Sequence, residues 1–180
     1  MEEPTVQNTR VIIFAHPDKR IPVELADWVW SRYRSDGHPH ENVLTLAIDG
    51  LIRARNTAVK QYVLGAPDRF KWFLFIDKDV RPCVASDEIY GLTTDIRACR
   101  VATKNSTAWA KSNSFHTPMY LARREVFEKM TPPWFIHVHS NDGTELQACE
   151  CEFFRRKALK LGLTISHTGY AGHDMDGTWK

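Results

Sequence analysis

Apolar residues along this chain gather in short unbroken runs, separated by stretches where they recur at helical spacing. The densest run is Phe70-Lys71-Trp72-Phe73-Leu74-Phe75-Ile76, which ends abruptly in Asp77-Lys78-Asp79-Val80. A run of that length without polar alternation predicts a strand buried on both faces. Arg10 to Phe14 predicts an earlier buried strand, followed by a loop from Ala15 to Arg20. Between them, Leu25, Trp28, Val29 and Tyr33 mark a helix within 21–33, and Pro22 suits its first turn. Asn42 to Ile48 predicts a second strand. Asp49 is placed to cap a helix from Leu51 to Leu64, which stops at Gly65-Ala66-Pro67.

Beyond the central run the pattern is less regular. Ser86-Asp87-Glu88 predicts a helix start, with acidic residues where the helix dipole favours them, ending near Arg97. Short strands are expected at 99–103 and 116–122, with a polar loop at 104–114 between them. A short helix is expected at 123–130. Thr144 to Leu161 reads as one long helix closed by Gly162, and 163–166 as a last strand. The end, 167–180, holds three glycines and no periodicity. Strands alternating with helices in the first half predict an α/β fold, a mostly parallel central sheet flanked by helices. No repeat, low-complexity tract or linker divides the 180 residues, so 1–180 reads as a single compact domain.

Composition removes several function classes. A net charge of +2 is too small by itself to argue for nucleic acid. The start, Met1-Glu2-Glu3-Pro4, lacks the features of a signal peptide, and no apolar run approaches a membrane span. The close cysteine pair Cys149-Glu150-Cys151 is neither a redox C-x-x-C nor a zinc knuckle. Free thiols in the cytoplasm are the expectation, host cytoplasm if a phage encodes the chain.

The candidate chemistry begins at Asp77 and Asp79. They fall at the carboxyl end of a buried strand, where open α/β sheets bind ligands. In an extended strand they would point apart, so a bend is needed before both serve one ligand. Two hard oxygen donors suit Mg²⁺ or Mn²⁺, whose shells phosphate oxygens usually complete. Arg53 and Asn56 share a helix face near a helix start, where anions are favoured. Glu150 and Glu152 lie on different faces of a helix, so one at most is expected to meet a ligand. A carboxylate among Cys and Phe side chains is expected to be desolvated, with a raised pKa fit for a general base. Glu152 also stands beside Arg155-Arg156-Lys157, which allows a surface ion pair. His137-Val138-His139 puts two rings on one strand face but matches no zinc spacing. His173 follows Gly172, which lets backbone approach a ligand closely.

Taken together, these pieces resemble the nucleotide-sugar glycosyltransferases of GT-A fold, in particular small family-two-like members of bacteria and phages. The resemblance runs from Val11 to His173. It rests on Ile52-Arg53-Ala54-Arg55-Asn56, on Leu74-Phe75-Ile76-Asp77-Lys78-Asp79, on Met119-Tyr120-Leu121-Ala122-Arg123-Arg124-Glu125-Val126-Phe127, and on Glu150 to Gly162 followed by Gly172-His173. It implies a GT-A (Rossmann-like) sheet and a metal-dependent transfer of sugar from a nucleotide-diphosphate donor to an acceptor hydroxyl, with inversion. It implies that Asp77, Asp79 and His173 hold Mn²⁺ or Mg²⁺. Arg53, Arg55 and Asn56 would seat the nucleotide, and His16, Arg20 and Lys104 are assigned to the donor site with them. Glu150 or Glu152 would be the base. Cys151 stands where the family usually has Asp, and Pro118 where a Gly commonly precedes its Met-Leu strand.

Two other readings stay open. Nucleotidyl transfer would keep the fold, but the loop Ala15 to Arg20 has no glycine to cradle phosphates. A non-catalytic sugar-nucleotide or carbohydrate binding module follows if the base is lost at Cys151. The acceptor is open among a glycan, a protein and a modified base of phage DNA. The last would require flipping the base out of the duplex.

Overall fold

The computed structural model describes residues 2–15, 20–33, 39–91, 93–103, 115 and 118–173. In chain order these form β1 (Thr9–Phe14), α1 (Val23–Tyr33), α2 (Pro39–Asn42), β2 (Val43–Leu46), α3 (Leu51–Thr57), a π-helical stretch (Ala58–Val63), β3 (Trp72–Asp77), β4 (Val80–Pro82), a 3-10 helix (Val84–Tyr90), β5 (Ile96–Thr103), β6 (Met119–Arg123), α4 (Arg124–Lys129), β7 (Val138–His139), β8 (Leu146–Ala148), α5 (Glu150–Lys160) and β9 (Ile165–His173).

The organising element is β3. Residues 72–76 are buried to within 1% of full burial, so the apolar run is explained by burial on both faces. Its side chains alternate between two cores. Phe73 and Phe75 join Ile12, Phe14, Tyr120, Phe127 and Phe154 on one face. Trp72, Leu74 and Ile76 join Val11, Ile13, Trp28, Val29 and Leu121 on the other. The α1 stripe predicted from Leu25, Trp28, Val29 and Tyr33 is the buried one.

The seven-stranded sheet has the order β2-β1-β3-β6-β5-β9-β4. β1 pairs in parallel with both β2 and β3, and β5 pairs in parallel with β9. β6 and β4 run against their neighbours. Five strands therefore share one direction, and the sheet is mostly parallel by strand direction. A separate two-stranded ribbon pairs β7 with β8.

Four segments differ from the pattern-based expectation. The helix expected to reach Arg97 ends at Tyr90, and Ile96 to Thr103 is strand. Arg97 is the reason this strand looks polar: its guanidinium is buried over the Trp72 ring and donates to the Tyr90 carbonyl and to Glu3. The helix from Leu51 continues past Thr57 only by widening to a π-helical stretch. The long helix expected from Thr144 begins instead at Glu150, because Leu146–Ala148 turns back on β7 through the Asn141-Asp142-Gly143 turn. Of the glycine-rich end, 167–173 continue the strand expected at 163–166 as β9, which pairs with β5 and β4, and 174–180 lie outside the described residues.

The interruption in β9 is a bulge. Cys99 pairs with Thr168 and Arg100 with Tyr170, so Gly169 is the extra residue, with φ +60°. A Cβ there would meet the Ala85 carbonyl oxygen at 2.2 Å. Gly169→Ala is therefore expected to destabilise the fold by at least about 2 kcal/mol. Urea unfolding followed by tryptophan fluorescence checks this; an unchanged midpoint would show that the bulge does not constrain the sheet.

Candidate active site

The carboxyl ends of β1, β2 and β3 open on one cavity of about 260 Å³. Phe14 and Ala15 line it from β1, Ile48, Asp49 and Gly50 from the turn after β2, and Leu51 and Ala54 from α3. Asp77, Lys78 and Asp79 complete the lining. β3 ends at Asp77, and the Lys78-Asp79 turn supplies the bend that both carboxylates need to face one space. Asp49 adds a third carboxylate, which sequence reasoning assigned only to helix capping.

Arg55 lies behind this cavity with its side chain 1% exposed. Its Nη2 donates to both oxygens of Asp77, at 2.8 and 3.1 Å, and its Nη1 donates to Glu150 Oε1 at 2.7 Å. The rings of Phe14 and Phe135 flank the guanidinium at 5.8 and 5.9 Å. Burial alone would lower the pKa of Arg55, but Asp77, Tyr120, Cys151 and Glu150 together outweigh that and hold it above its ordinary value.

Glu150 is the first residue of α5 and is buried. Its Oε2 lies 3.0 Å from His137 Nε2, and its Oε1 also receives the Cys151 thiol at 3.4 Å. Burial pushes its pKa up, but the Arg55 charge, its own backbone N–H, His137 and Cys151 together bring it below the usual carboxylate range. This corrects the expectation that burial among Cys and Phe raises it. The hydroxyl of Tyr120 is buried near the same charges, and burial pushes its pKa well up, so it stays neutral. Among the described residues that hydroxyl has no hydrogen-bond partner.

The remaining candidates are dispersed. Asn56 bridges backbone: its amide donates to the Ile52 and Phe135 carbonyls and accepts from the N–H groups of Trp134 and Phe135. Arg53 and Asn56 line a different cleft, with Trp134. Glu152 receives Arg155 and Arg156, the surface ion pair that the neighbouring basic run allowed. Arg20 is exposed and does not line the cavity. The backbone of His173 pairs with Val80, the residue after Asp79. His16 and Lys104 lie outside the described residues. Sequence reasoning missed His137 as a partner of Glu150. The signal available was its strand-like spacing with His139, which says nothing of α5.

The bridge makes a pH prediction. The folded pKa of Glu150 lies below its unfolded one, so its contribution to stability is complete above the ordinary carboxylate range and is lost as pH falls through the depressed value. Arg55→Met removes the main opposing charge and leaves burial dominant. The variant should lose about 3–5 kcal/mol at neutral pH, and, with the folded pKa of Glu150 now above its unfolded one, it should recover part of that loss as pH falls through the raised value, opposite in sign to the wild type. Urea midpoints measured between about pH 3 and 7 test both points.

No protein-family profile matches the sequence, and no curated protein does. Solved structures match in fold. The crystal structure of A197 from STIV has a TM-score of 0.59 at 14% identity, covering 93% of this chain and 82% of that one. A glycosyltransferase involved in the glycosylation of the major capsid of PBCV-1 has a TM-score of 0.53 at 12% identity, covering 97% and 94%. A mutant of Drosophila beta1,4galactosyltransferase 7, in complex with manganese, UDP-Gal and xylobiose, has a TM-score of 0.50 at 13% identity, covering 89% of this chain. This chain spans 64% of that one's length. At such identities the likeness is one of architecture: the chain has the GT-A fold, the fold of nucleotide-diphospho-sugar transferases.

Proposed function

We propose that this protein is a metal-dependent glycosyltransferase, moving a sugar from a nucleotide-diphosphate donor to an acceptor hydroxyl with inversion. The observation that carries the reading is the convergence of Asp77 and Asp79 on one cavity at the carboxyl ends of three parallel strands, with Glu150 tied to Asp77 through buried Arg55. The Drosophila neighbour, in complex with manganese and UDP-Gal, supports a divalent cation and a sugar nucleotide as the ligand class.

The donor set at the cavity is made of carboxylate oxygens, which fits Mg²⁺ or Mn²⁺ and disfavours softer ions. Asp77 and Asp79, joined by His173, would hold the cation, whose chemistry is to neutralise the charge that develops on the departing diphosphate. The chain's own residues do the rest. Arg55 fixes the orientation of Asp77 through hydrogen bonds to both of its oxygens. Phe14, Ala15, Leu51 and Ala54 give the cavity an apolar wall for the nucleoside, and Lys78 adds a positive charge at its rim. Glu150, across Arg55 from the donor carboxylates, serves the acceptor side. A single group on that side fits one direct displacement, hence inversion.

The test is a panel of sugar nucleotides with manganese, read by mass spectrometry of the products. Isothermal titration with UDP and GDP accompanies it, with and without the metal. Asp79→Asn is expected to lose at least about ten-fold in manganese-dependent nucleotide affinity, with its urea midpoint preserved. A wild type that neither turns over a donor nor binds either nucleotide with manganese would refute the reading.

A further inference from the structure

Glu150 is crowded for a group that must accept a proton from an incoming hydroxyl. A carboxylate offers about four lone-pair positions. Arg55 Nη1, the Cys151 thiol, His137 Nε2 and the backbone N–H of Glu150 itself address them. The side chain is 10% exposed. The ring of His137 is 43% exposed, and among the described residues its Nδ1 has no hydrogen-bond partner. One edge of this imidazole is thus anchored on a buried carboxylate, while the ring as a whole stays partly open to solvent.

We propose that His137 takes the acceptor proton, and that Glu150 is the buried carboxylate that orients the imidazole and stabilises its protonated form. This rests on the transferase reading above. With Nε2–H donated to Glu150 Oε2, the basic lone pair lies on Nδ1. In the transfer, the acceptor O–H bond breaks and its proton moves to Nδ1. The oxygen's electron pair forms the new bond to the anomeric carbon. The anomeric C–O bond to the diphosphate breaks, and its electrons leave with the diphosphate oxygen. The imidazolium then shares its Nε2 proton with an ionised Glu150, which Arg55 keeps ionised.

Among the described residues, the charged and titratable groups recorded in contact with His137 or its carboxylate partner are Glu150 and Cys151 from α5, His139 from β7, and Arg55 from α3 behind Glu150. His139 meets His137 edge-on at 6.3 Å between ring centroids and, among the described residues, makes no hydrogen bond to Glu150. It therefore serves as the control position.

The experiment uses the full chain and has two arms. In the first, long-range ¹H–¹⁵N spectra report the tautomer of His137. The Nε2–H form is expected in the wild type, and its loss in Glu150→Gln. A ring in the Nδ1–H form overturns the proposal whatever the activity. In the second, kcat and KM are measured against pH for the wild type, His137→Gln and His139→Gln. The wild-type kcat is expected to fall through an acid limb as pH is lowered. His137→Gln should lose about 10²–10³-fold in kcat, keep the donor KM, and lose that acid limb, while His139→Gln keeps both. A His137→Gln enzyme with wild-type kcat overturns this assignment alone and returns the base role to Glu150. A wild type without turnover and without manganese-dependent UDP or GDP binding overturns the transferase reading and this assignment with it.

Discussion

A buried guanidinium holding two carboxylates apart is the constraint on which this site depends. Asp77 and Glu150 come from segments 73 residues apart and would repel each other across the space that Arg55 fills. At contacts of 2.7–2.8 Å each attraction is on the order of 5 kcal/mol in a medium of effective dielectric about 20, before desolvation is subtracted. Desolvating three charges cancels much of that gain. What survives is placement: a planar fork admits only one arrangement of its partners. Lysine, a point charge with free rotation, would neutralise the pair without fixing it. The rings of Phe14 and Phe135 close the sides and keep water from competing for the fork.

Sheet topology delivers the three partners to one place. β1 and β3 are parallel neighbours, so Phe14 and Asp77 end side by side. α3 follows the outer strand β2 and returns over the same edge, which brings Arg55 above them. Glu150 arrives by another route. The β7–β8 ribbon ends at Ala148, Cys149 stands as the extended residue before the helix, and α5 starts at once with Glu150. The stem of α5 is fixed by Phe154, whose ring packs on Phe127, Phe135, Phe115 and Tyr120. The first turn of α5 is thus held by an aromatic core, while its leading carboxylate meets the charged site.

Legibility in the sequence followed the range of the interactions. β1, β3 and α1 were readable because burial or amphipathic spacing within a single element dictates them. The two-residue turn that lets Asp77 and Asp79 share a cavity was readable as a requirement, since strand geometry forbids it otherwise. β5 was legible only from Cys99 onward, because a buried Arg97 breaks the apolar pattern of its first residues and its partners are a ring at position 72 and the amino-terminal Glu3. β9 was legible only at its start, within the strand expected at 163–166, because the glycine that its bulge needs breaks the pattern beyond it. Of Arg53, Arg55 and Asn56, local spacing could not say which turns inward. The direction of the Glu150 pKa was misjudged for the same reason: desolvation is a local property, but the charge that defeats it lies 95 residues away.

Cys151 shows how one residue shifts the proton balance of the whole site. The family pattern that this chain otherwise resembles carries Asp here. An ionised Asp at this buried position would place another negative charge beside Glu150, Asp77 and a single guanidinium, raising the affinity of Glu150 for protons. The thiol reverses that influence, donating a hydrogen bond to Glu150 Oε1 and so favouring its ionised form. A carboxylate stabilised in this way binds a proton less readily, and is better suited to steadying a cation next to it. This agrees with the proposed division of roles, in which the buried acid steadies the half-exposed imidazole of His137 at its edge. The Arg55 bridge acts in the same sense as the thiol, because its charge, 2.7 Å from Glu150 Oε1, also favours the ionised form of that carboxylate.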